Sequence, residues 1–357
     1  MNIKFINSGG TYMKKIFIAA TLLGVITLTG CSAKSELSQA DTSTQGNKFV
    51  NVYSARNYDV DKDIFLEFEE ETGIKVNLIE GKGDELTERM NREKGNPQAD
   101  LFITVGGETI AYAKEQDLLQ VHGIDNLDDL LDKKFYGEDW VALTKRARIL
   151  VYDKTKNPDF KLQSYFDLGQ ERYEKSILVR SGSSSYNIAL VANILQNQGA
   201  EKARDLVAGI VNNLAREPQG NDRDQAKGVI AGEGEVGIIN TYYQLKMLTS
   251  ADASEVEVAN LIGVAFPEES HVNISWGGIV KGAKNTENAK KLLEYLLEEK
   301  QQKTYMEENG EYPINNKVVL SDLLTSLGEL KQMPVDYETL GNFTTEAIML
   351  MDELGWK

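Results

Sequence analysis

Four tyrosines carry the strongest chemical signal in this sequence. Tyr58, Tyr186 and the adjacent pair Tyr242 and Tyr243 each lie at or next to a predicted strand-to-helix junction. Several phenolates in one cleft suit a hard, highly charged cation, since soft metals prefer thiolate and borderline metals prefer imidazole. A phenol has a pKa of about 10, so a strong Lewis acid or nearby cations must drive its deprotonation at neutral pH. Fe³⁺ is the biological ion best suited to this, and tyrosines that only pack remain the alternative on residue types alone.

Two other motifs could hold an anion or balance charge. The run SGSSS at Ser181–Ser185 precedes the predicted Tyr186 helix, where hydroxyls and free amides can cap the helix or hold an anion. Arg146 and Arg148 are two residues apart at the head of a predicted strand, so they share one face if that strand begins early. They could bind an anion, lower the pKa of nearby phenols or form surface salt bridges.

Alternating strands and helices predict the framework that positions these loops. Ligands in such α/β folds usually bind beyond the carboxyl ends of the strands and between domains. The loops Ser54–Asp59, Ser181–Tyr186 and Asn240–Tyr243 fall at those places. The predicted strands are Phe49–Tyr53, Ile74–Ile79, Asp100–Val105, Ile149–Tyr152, Ile177–Arg180 and Val236–Asn240, and the predicted helices are Asp61–Thr72, Asp84–Glu93, Glu108–Gln116, Tyr186–Gln198, Tyr242–Leu248, Ala289–Lys303 and Leu340–Leu354.

Composition excludes several classes of protein. The 357 residues include 39 Lys and Arg against 55 Asp and Glu, a formal charge of −16, which argues against nucleic acid as a partner. One cysteine and two histidines, His122 and His271, exclude a disulfide framework, a Cys-rich site and a polyhistidine metal site. The sequence has no Gly-x-Ser-x-Gly elbow, His-Glu-x-x-His motif or glycine-rich phosphate loop, so we predict that it is not an enzyme.

The N-terminus indicates where the protein works. A basic start at Met13–Lys15 precedes the apolar run Ile16–Leu28, which has the length of a signal-peptide core. The run ends in Leu-Thr-Gly-Cys31, which resembles a bacterial lipoprotein signal cleaved just before Cys31. We therefore predict a signal peptide over 1–30, with 1–12 as an upstream extension, and a lipidated tether over 31–47. The body would be extracytoplasmic, anchored to the bacterial cell membrane at the cell surface or in the periplasm.

A set of short strings, taken together, resembles the ferric-iron substrate-binding proteins of ABC transporters. They occur in family order between Phe49 and Asn315. The resemblance implies a type II periplasmic-binding-protein fold, with two α/β lobes, each a mostly parallel sheet flanked by helices, and crossing hinge strands. It implies an N-terminal lobe over 48–142 and 272–320, a C-terminal lobe over 143–271, and C-terminal helices over 321–357 packing on the C-terminal lobe. The strings are Tyr53-Ser-Ala-Arg-Asn-Tyr58, Lys145-Arg-Ala-Arg148, Ser183-Ser-Ser-Tyr-Asn187, Asn213-Leu-Ala-Arg-Glu-Pro-Gln-Gly-Asn-Asp222, Asn240-Thr-Tyr-Tyr243 and His271-Val-Asn-Ile-Ser275.

The same resemblance implies a residue-by-residue ferric site. Fe³⁺ would be bound by Tyr186, Tyr242 and Tyr243, with Tyr58 contributed by the opposite lobe. Many family members have histidine just before the first-lobe tyrosine, whereas this chain has Asn57, a feeble ligand whose place water or carbonate could take. Arg146 corresponds to the family's anion-binding or charge-balancing arginine, and His271 is expected to be structural. Weaker candidates for contact with an accompanying anion are Arg56, Arg148, Ser183 and Lys246.

The function implied is capture of ferric ion, hinge closure and delivery to an ABC permease by a monomeric protein that binds no nucleic acid. A lipid anchor would keep the protein near that permease and raise its effective concentration there. Two alternatives stay open from the sequence. The same fold could bind another small ligand, such as an oxyanion or a polyamine, and a secreted enzyme is the more distant option.

Overall fold

A mixed sheet of ten strands organises residues 48–357, the part of the chain that the computed structural model describes. The predicted signal peptide, Cys31 and the tether over 31–47 lie outside the described residues. The main path of the sheet runs β2-β1-β3-β9-β5-β7-β6, with β4 on β9 and both β8 and β10 on β5. The strands are β1 (Phe49–Ser54), β2 (Lys75–Glu80), β3 (Leu101–Val105), β4 (Leu119–Gln120), β5 (Val141–Asp153), β6 (Ile177–Leu178), β7 (Val236–Asn240), β8 (Ile262–Ala265), β9 (Val272–Val280) and β10 (Tyr312–Pro313).

Helices cover this sheet and fill its connections. They are α1 (Asp59–Thr72), α2 (Gly83–Glu93), α3 (Thr109–Glu115), α4 (Ser185–Asn212), α5 (Asp222–Ala231), α6 (Thr241–Leu248), α7 (Ala253–Leu261), α8 (Thr286–Leu296), α9 (Glu299–Asn309), α10 (Asp322–Thr325), α11 (Tyr337–Leu340) and α12 (Thr344–Leu354). Among the residues described, no helix combines the length and the apolar composition needed to cross a membrane.

Helix α1 shows how local sequence produces these elements. Ile64, Phe65 and Phe68 follow helical spacing and are buried on the face that packs on the sheet. Gly73 ends the helix with φ of 69°, a left-handed conformation that glycine adopts without steric cost, and its N–H donates to the carbonyl of Glu69. The helix begins at Asp59, directly after Tyr58.

Two helix predictions need correction. The segment predicted as one helix over Ala289–Lys303 is two helices, α8 and α9, because Glu298 takes an extended backbone conformation between them. The helix predicted to end at Gln198 continues to Asn212 in α4, with a break at Gly199, whose φ of 84° departs from helical geometry. The hydrophobic spacing located these helices but did not reveal where the backbone bends.

The long strands β5 and β9 join the two halves of the sheet. Strand β1 pairs parallel with β2 and β3, and β6 pairs parallel with β7, as the alternating sequence predicted. Strand β5 instead runs antiparallel to all its partners. Its first half pairs with β9 and β10, and its second half pairs with β7 and β8. One continuous strand thus places Arg146 and Arg148 where the two halves meet.

The C-terminal segment buttresses the serine-rich loop before α4. Helix α12 packs against α4. Beyond it, the indole nitrogen of Trp356 donates to the carbonyl of Arg180 at 2.9 Å. The N–H of Gly182 donates to the carbonyl of Lys357 at 3.0 Å. These bonds hold the loop that leads into Tyr186 against the end of the chain.

Candidate metal centre

The structure brings the four predicted tyrosines into one cluster. The hydroxyl oxygens of Tyr186 and Tyr242 are 3.4 Å apart. The ring centroids of Tyr242 and Tyr243 are 4.2 Å apart, and the ring of Tyr58 meets that of Tyr242 edge-on at 6.2 Å. Four phenol side chains from three separate segments therefore lie in one cluster.

Local backbone geometry explains how adjacent tyrosines converge. Tyr242 and Tyr243 are the second and third residues of α6, directly after β7 ends at Asn240. Neighbouring side chains point to opposite faces of a strand, but they are only about 100° apart around a helix. Tyr186 is likewise the second residue of α4. The strand-to-helix junctions thus turn these side chains into a common space.

Tyr58 approaches from the start of α1, with Asn57 just before it. Asn57 has a φ of 43°, a left-handed conformation that asparagine tolerates better than most residues. Its side chain is exposed, and its amide nitrogen lies 3.4 Å from the carbonyl of Gly81. This left-handed residue is followed by the extended backbone of Tyr58, which leads into α1.

Burial keeps the phenols of Tyr58, Tyr242 and Tyr243 protonated. Tyr186 and Tyr242 are 8% and 3% exposed. Desolvation raises the pKa of Tyr58, Tyr242 and Tyr243, and the neighbouring Tyr186 raises it further. The positive charge of Arg146 acts in the opposite direction on the pKa of Tyr58 and Tyr242. A ligand must therefore be strongly electrophilic to displace these protons at neutral pH.

Arginines surround the phenol rings. The guanidinium carbon of Arg146 is 5.5 Å from the ring centroid of Tyr186 and 6.0 Å from that of Tyr242. Arg180 and Arg148 lie 5.4 Å and 5.9 Å from the Tyr186 ring. Arg146 acts to lower the pKa of Tyr242 and Arg180 acts to lower the pKa of Tyr243, so these charges favour the phenolate form of those two side chains.

Glu311 holds two of the arginines and was missed by the sequence analysis. Its carboxylate accepts from Arg56 and from Arg146, each at 2.9 Å, and Glu311 and both arginines are fully buried side chains. Thr144 and Asn309 donate to the same carboxylate at 2.7 Å and 2.8 Å. Nothing in the local sequence around Glu311 signals this role, because it depends on the pairing of β10 with β5.

Asp222 holds the arginines beneath Tyr186 in the same way. Its carboxylate lies 3.1 Å from Arg148 and 3.3 Å from Arg180, and it also accepts from the backbone N–H of Asn240 at 2.6 Å. Asp222 is fully buried at the start of α5. It ends one of the strings that carried the family resemblance, so the sequence contained a signal for this residue.

Comparison with known proteins identifies the family. The bacterial extracellular solute-binding protein family matches residues 63–332 of this chain. The chain belongs to this family. Iron uptake protein A1 of Synechocystis sp. is 36% identical to this solute-binding protein over 342 residues, covering 94% of this chain and 95% of the relative.

Solved structures agree on the fold of this solute-binding protein. The ferric binding protein from Campylobacter jejuni matches with a TM-score of 0.81 and 36% identity, over 86% of this chain and all of that one. A Trichodesmium protein (IdiA, FutA) in complex with iron and citrate matches with a TM-score of 0.81 and 38% identity, over 87% of this chain and all of that one. The predicted two-lobed α/β fold is confirmed by these neighbours.

The remaining predicted site residues have varied positions in this solute-binding protein. Lys246 lies 5.7 Å from the Tyr58 ring and donates to Asn309 at 2.9 Å. Ser183 is exposed, and its hydroxyl pairs with that of Ser181 at 2.9 Å. His271 is buried between Asn193 and Asn273, at 2.9 Å and 3.2 Å. Lys246 thus adjoins the cluster, Ser183 lies in the loop that leads to it, and His271 takes part in packing.

Conventional metal ligands are not grouped in this part of the protein. Within residues 48–357, no set of three or more His, Cys, Asp or Glu side chains is arranged to hold a metal ion. The tyrosine cluster offers hard oxygen donors instead, in positively charged surroundings. Such a set matches a trivalent cation, which gains most from charged oxygen ligands.

Proposed function

We propose that this protein is the extracytoplasmic Fe³⁺-binding component of an ABC iron importer, which delivers ferric ion to a permease. The observation that carries the proposal is the convergence of Tyr58, Tyr186, Tyr242 and Tyr243, with two hydroxyls 3.4 Å apart. The names of the relatives support it, since they are an iron uptake protein and a ferric binding protein. The protein would bind its cargo without chemical conversion.

Ferric ion would be held by phenolates of all four tyrosines. Tyr186, Tyr242 and Tyr243 would come from the C-terminal lobe over 143–271, and Tyr58 from the N-terminal lobe over 48–142 and 272–320. Closure of the cleft would bring Tyr58 across and displace water from the ion. The C-terminal helices over 321–357 would stay with the C-terminal lobe, as the packing of α12 on α4 supports.

An accompanying anion would complete the ligand set where Asn57 leaves a gap. The buried Nε atoms of Arg146 and Arg148 have no hydrogen-bond partner within residues 48–357. A carbonate or another small oxyanion bound to the iron could accept from a buried guanidinium, and such charge-assisted hydrogen bonds are among the stronger ones. The Trichodesmium relative was solved with iron and citrate together, which is consistent with an oxygen-rich anion at such a site.

We infer the finer location of the protein from its sequence. The signal peptide over 1–30 would be removed, and lipid on Cys31 would anchor the monomeric body through the tether over 31–47. The family name supports an extracellular position, and lipidation is a separate expectation. Metabolic labelling with a fatty acid, in wild type and in a Cys31→Ser variant, tests it directly.

A visible absorption titration with ferric citrate tests the ferric site. Wild type is expected to show a phenolate-to-iron charge-transfer band that saturates at a single equivalent, and a Tyr242→Phe/Tyr243→Phe variant is expected to lose it. The matched control is Tyr112→Phe/Tyr136→Phe, which removes two hydroxyls outside the cluster: Tyr112 donates to Glu88 and Tyr136 contacts Asp128. Absence of the band in folded wild type would refute the proposal and favour another ligand on this fold.

A further inference from the structure

A cavity lies against strands β5 and β10 and shares no lining residue with the tyrosine cluster. It has a volume of about 560 Å³ and is lined by parts of β5, β10 and the chain from 315 to 330. Tyr312 on β10 is paired directly with Lys145 on β5. Side chains directly opposite each other in a sheet point to the same face, so both enter this cavity. Arg146 is the next residue of β5 and Glu311 directly precedes β10, so alternation points both side chains to the other face.

Two polar groups of this cavity, on Tyr312 and Lys145, form no hydrogen bond or ion pair within residues 48–357. The hydroxyl of Tyr312 is buried, with the residue 4% exposed, and it makes no hydrogen bond within residues 48–357. The partly buried ammonium of Lys145 forms no ion pair within 4.0 Å in the same part of the chain, and its Nζ lies 5.0 Å from the ring centroid of Phe135. A buried polar group without a partner costs free energy, and a ligand can remove that cost.

No carboxylate lies within 4.0 Å of the Lys145 ammonium in residues 48–357, and Asp132 acts on it only from farther away. Burial lowers the pKa of the Lys145 ammonium, Asp132 raises it and Lys134 lowers it again. Asp132 already accepts from Asn316 at 3.0 Å. Glu329 is the one acid among the lining residues, and it is exposed at the rim, where water screens it.

The rest of the lining is apolar, already hydrogen-bonded or exposed to solvent. Val318, Leu320 and Leu330 form an apolar wall. Of the two lining amides, Asn315 donates to the carbonyl of Leu297 at 2.8 Å and Asn316 donates to Asp132. Thr325 also lines the cavity, but it is exposed to solvent. The Lys145 ammonium and the buried Tyr312 hydroxyl, next to an apolar wall, match a monoanion with an apolar tail. A phosphate would need more donors than these two groups supply.

We propose that this cavity binds a small carboxylate that carries an apolar chain, with its oxygens on Lys145 and Tyr312 and its chain on the wall of Val318, Leu320 and Leu330. The site shares no residue with the tyrosine cluster, so the proposal does not depend on ferric ion binding. It is adjacent through the backbone, because Lys145 and Tyr312 directly neighbour Arg146 and Glu311.

Calorimetric titration of the whole protein with sodium butyrate tests this site, with butyramide as the uncharged match. Butyrate is expected to bind saturably at concentrations up to about 10 mM, within the weak range of small-ligand affinities, and butyramide is not. Sodium octanoate distinguishes the source: tighter binding than butyrate indicates a fatty acid, and weaker binding a short metabolic acid. Failure of butyrate and octanoate to bind wild type overturns the proposal.

Three variants separate specific binding from general charge effects. Lys145→Met keeps the length of the side chain and removes its charge, so butyrate affinity is expected to fall about tenfold or more. Tyr312→Phe removes one hydroxyl and is expected to weaken binding about three- to tenfold. Lys303→Met, at an exposed lysine of α9, is the control and leaves affinity unchanged. Undiminished binding in both cavity variants, or equal loss in the control, overturns the proposal.

Discussion

Neutralising the carboxylate of Glu311 is predicted to lower the free energy of unfolding strongly. Glu311→Gln keeps the shape of the side chain but replaces one oxygen with an amide nitrogen, which donates. One oxygen now accepts from Arg146 and Thr144, and the other from Arg56 and Asn309. In either orientation the amide nitrogen faces a guanidinium donor, so at least one charge-assisted hydrogen bond is lost and two buried guanidinium groups lose their shared counter-charge. Removing one partner of a buried ion pair costs about 3–5 kcal/mol.

The same network makes stability depend on pH in a defined direction. Burial acts to raise the pKa of Glu311, but Arg56 and Arg146 outweigh burial and hold the pKa of this carboxyl below its ordinary value. A group whose pKa is lowered on folding contributes stability above its unfolded pKa, about 4.3 for glutamate, and loses it as pH falls through the folded pKa. Wild type should therefore lose this contribution in acid, and the Glu311→Gln variant has none to lose.

Urea unfolding followed by tryptophan fluorescence measures both effects. At pH 7 the Glu311→Gln variant should unfold at a clearly lower urea concentration than wild type, and the difference should shrink as the pH falls below the unfolded pKa of glutamate. Glu353→Gln is the matched control, because Glu353 pairs with Arg204 at 2.8 Å on the surface, and solvent screens that pair. Equal stabilities for wild type and Glu311→Gln, or equal losses in both variants, would refute the reasoning that buried arginines need this carboxylate.

Three further predictions follow from buried groups. Asp222→Asn should lower the free energy of unfolding by about 3 kcal/mol or more, because Arg148 loses its buried partner, and urea unfolding measures the loss. Burial lowers the pKa of His271 to about 3, so stability should fall by about 1.4 kcal/mol per pH unit as pH drops below about 6.5. His271→Asn should remove that slope in unfolding experiments between pH 7 and pH 5. Gly182→Ala should lower the melting temperature in a thermal scan, since its Cβ would collide with the carbonyl of Trp356. An unchanged melting temperature would contradict this close packing.

The sequence predicted the tyrosine loops because their signal is local. Each of Tyr58, Tyr186, Tyr242 and Tyr243 follows a short β-rich run and precedes a segment with helical spacing. The convergence of strand ends in α/β folds then places them near one another without knowledge of side-chain contacts. The sequence could not predict the distances between the tyrosine hydroxyls, because these depend on how α4 and α6 pack.

The extent of β5 was underestimated for a physical reason. Only Ile149–Tyr152 was predicted as a strand, whereas β5 runs from Val141 to Asp153. The segment Thr144–Arg148 contains one lysine and two arginines, which normally indicate an exposed loop or strand edge. Glu311 and Asp222, distant along the chain, neutralise the arginines and allow the strand to be buried.

The register between β5 and β10 explains which side chains lie on each face of these two strands. Because Tyr312 pairs with Lys145, side-chain alternation directs Glu311 and Arg146 to the face that carries the tyrosine cluster. It directs Tyr312 and Lys145 to the opposite face, into the cavity against β5 and β10. A slip of one residue in this pairing would exchange the two sets. It would separate Arg146 from the carboxylate of Glu311 and turn the Lys145 ammonium toward the tyrosine cluster. Since a buried unpaired guanidinium is costly, the contact of Arg146 with Glu311 favours this register. The same register places Lys145 and Tyr312 in the cavity on the opposite face.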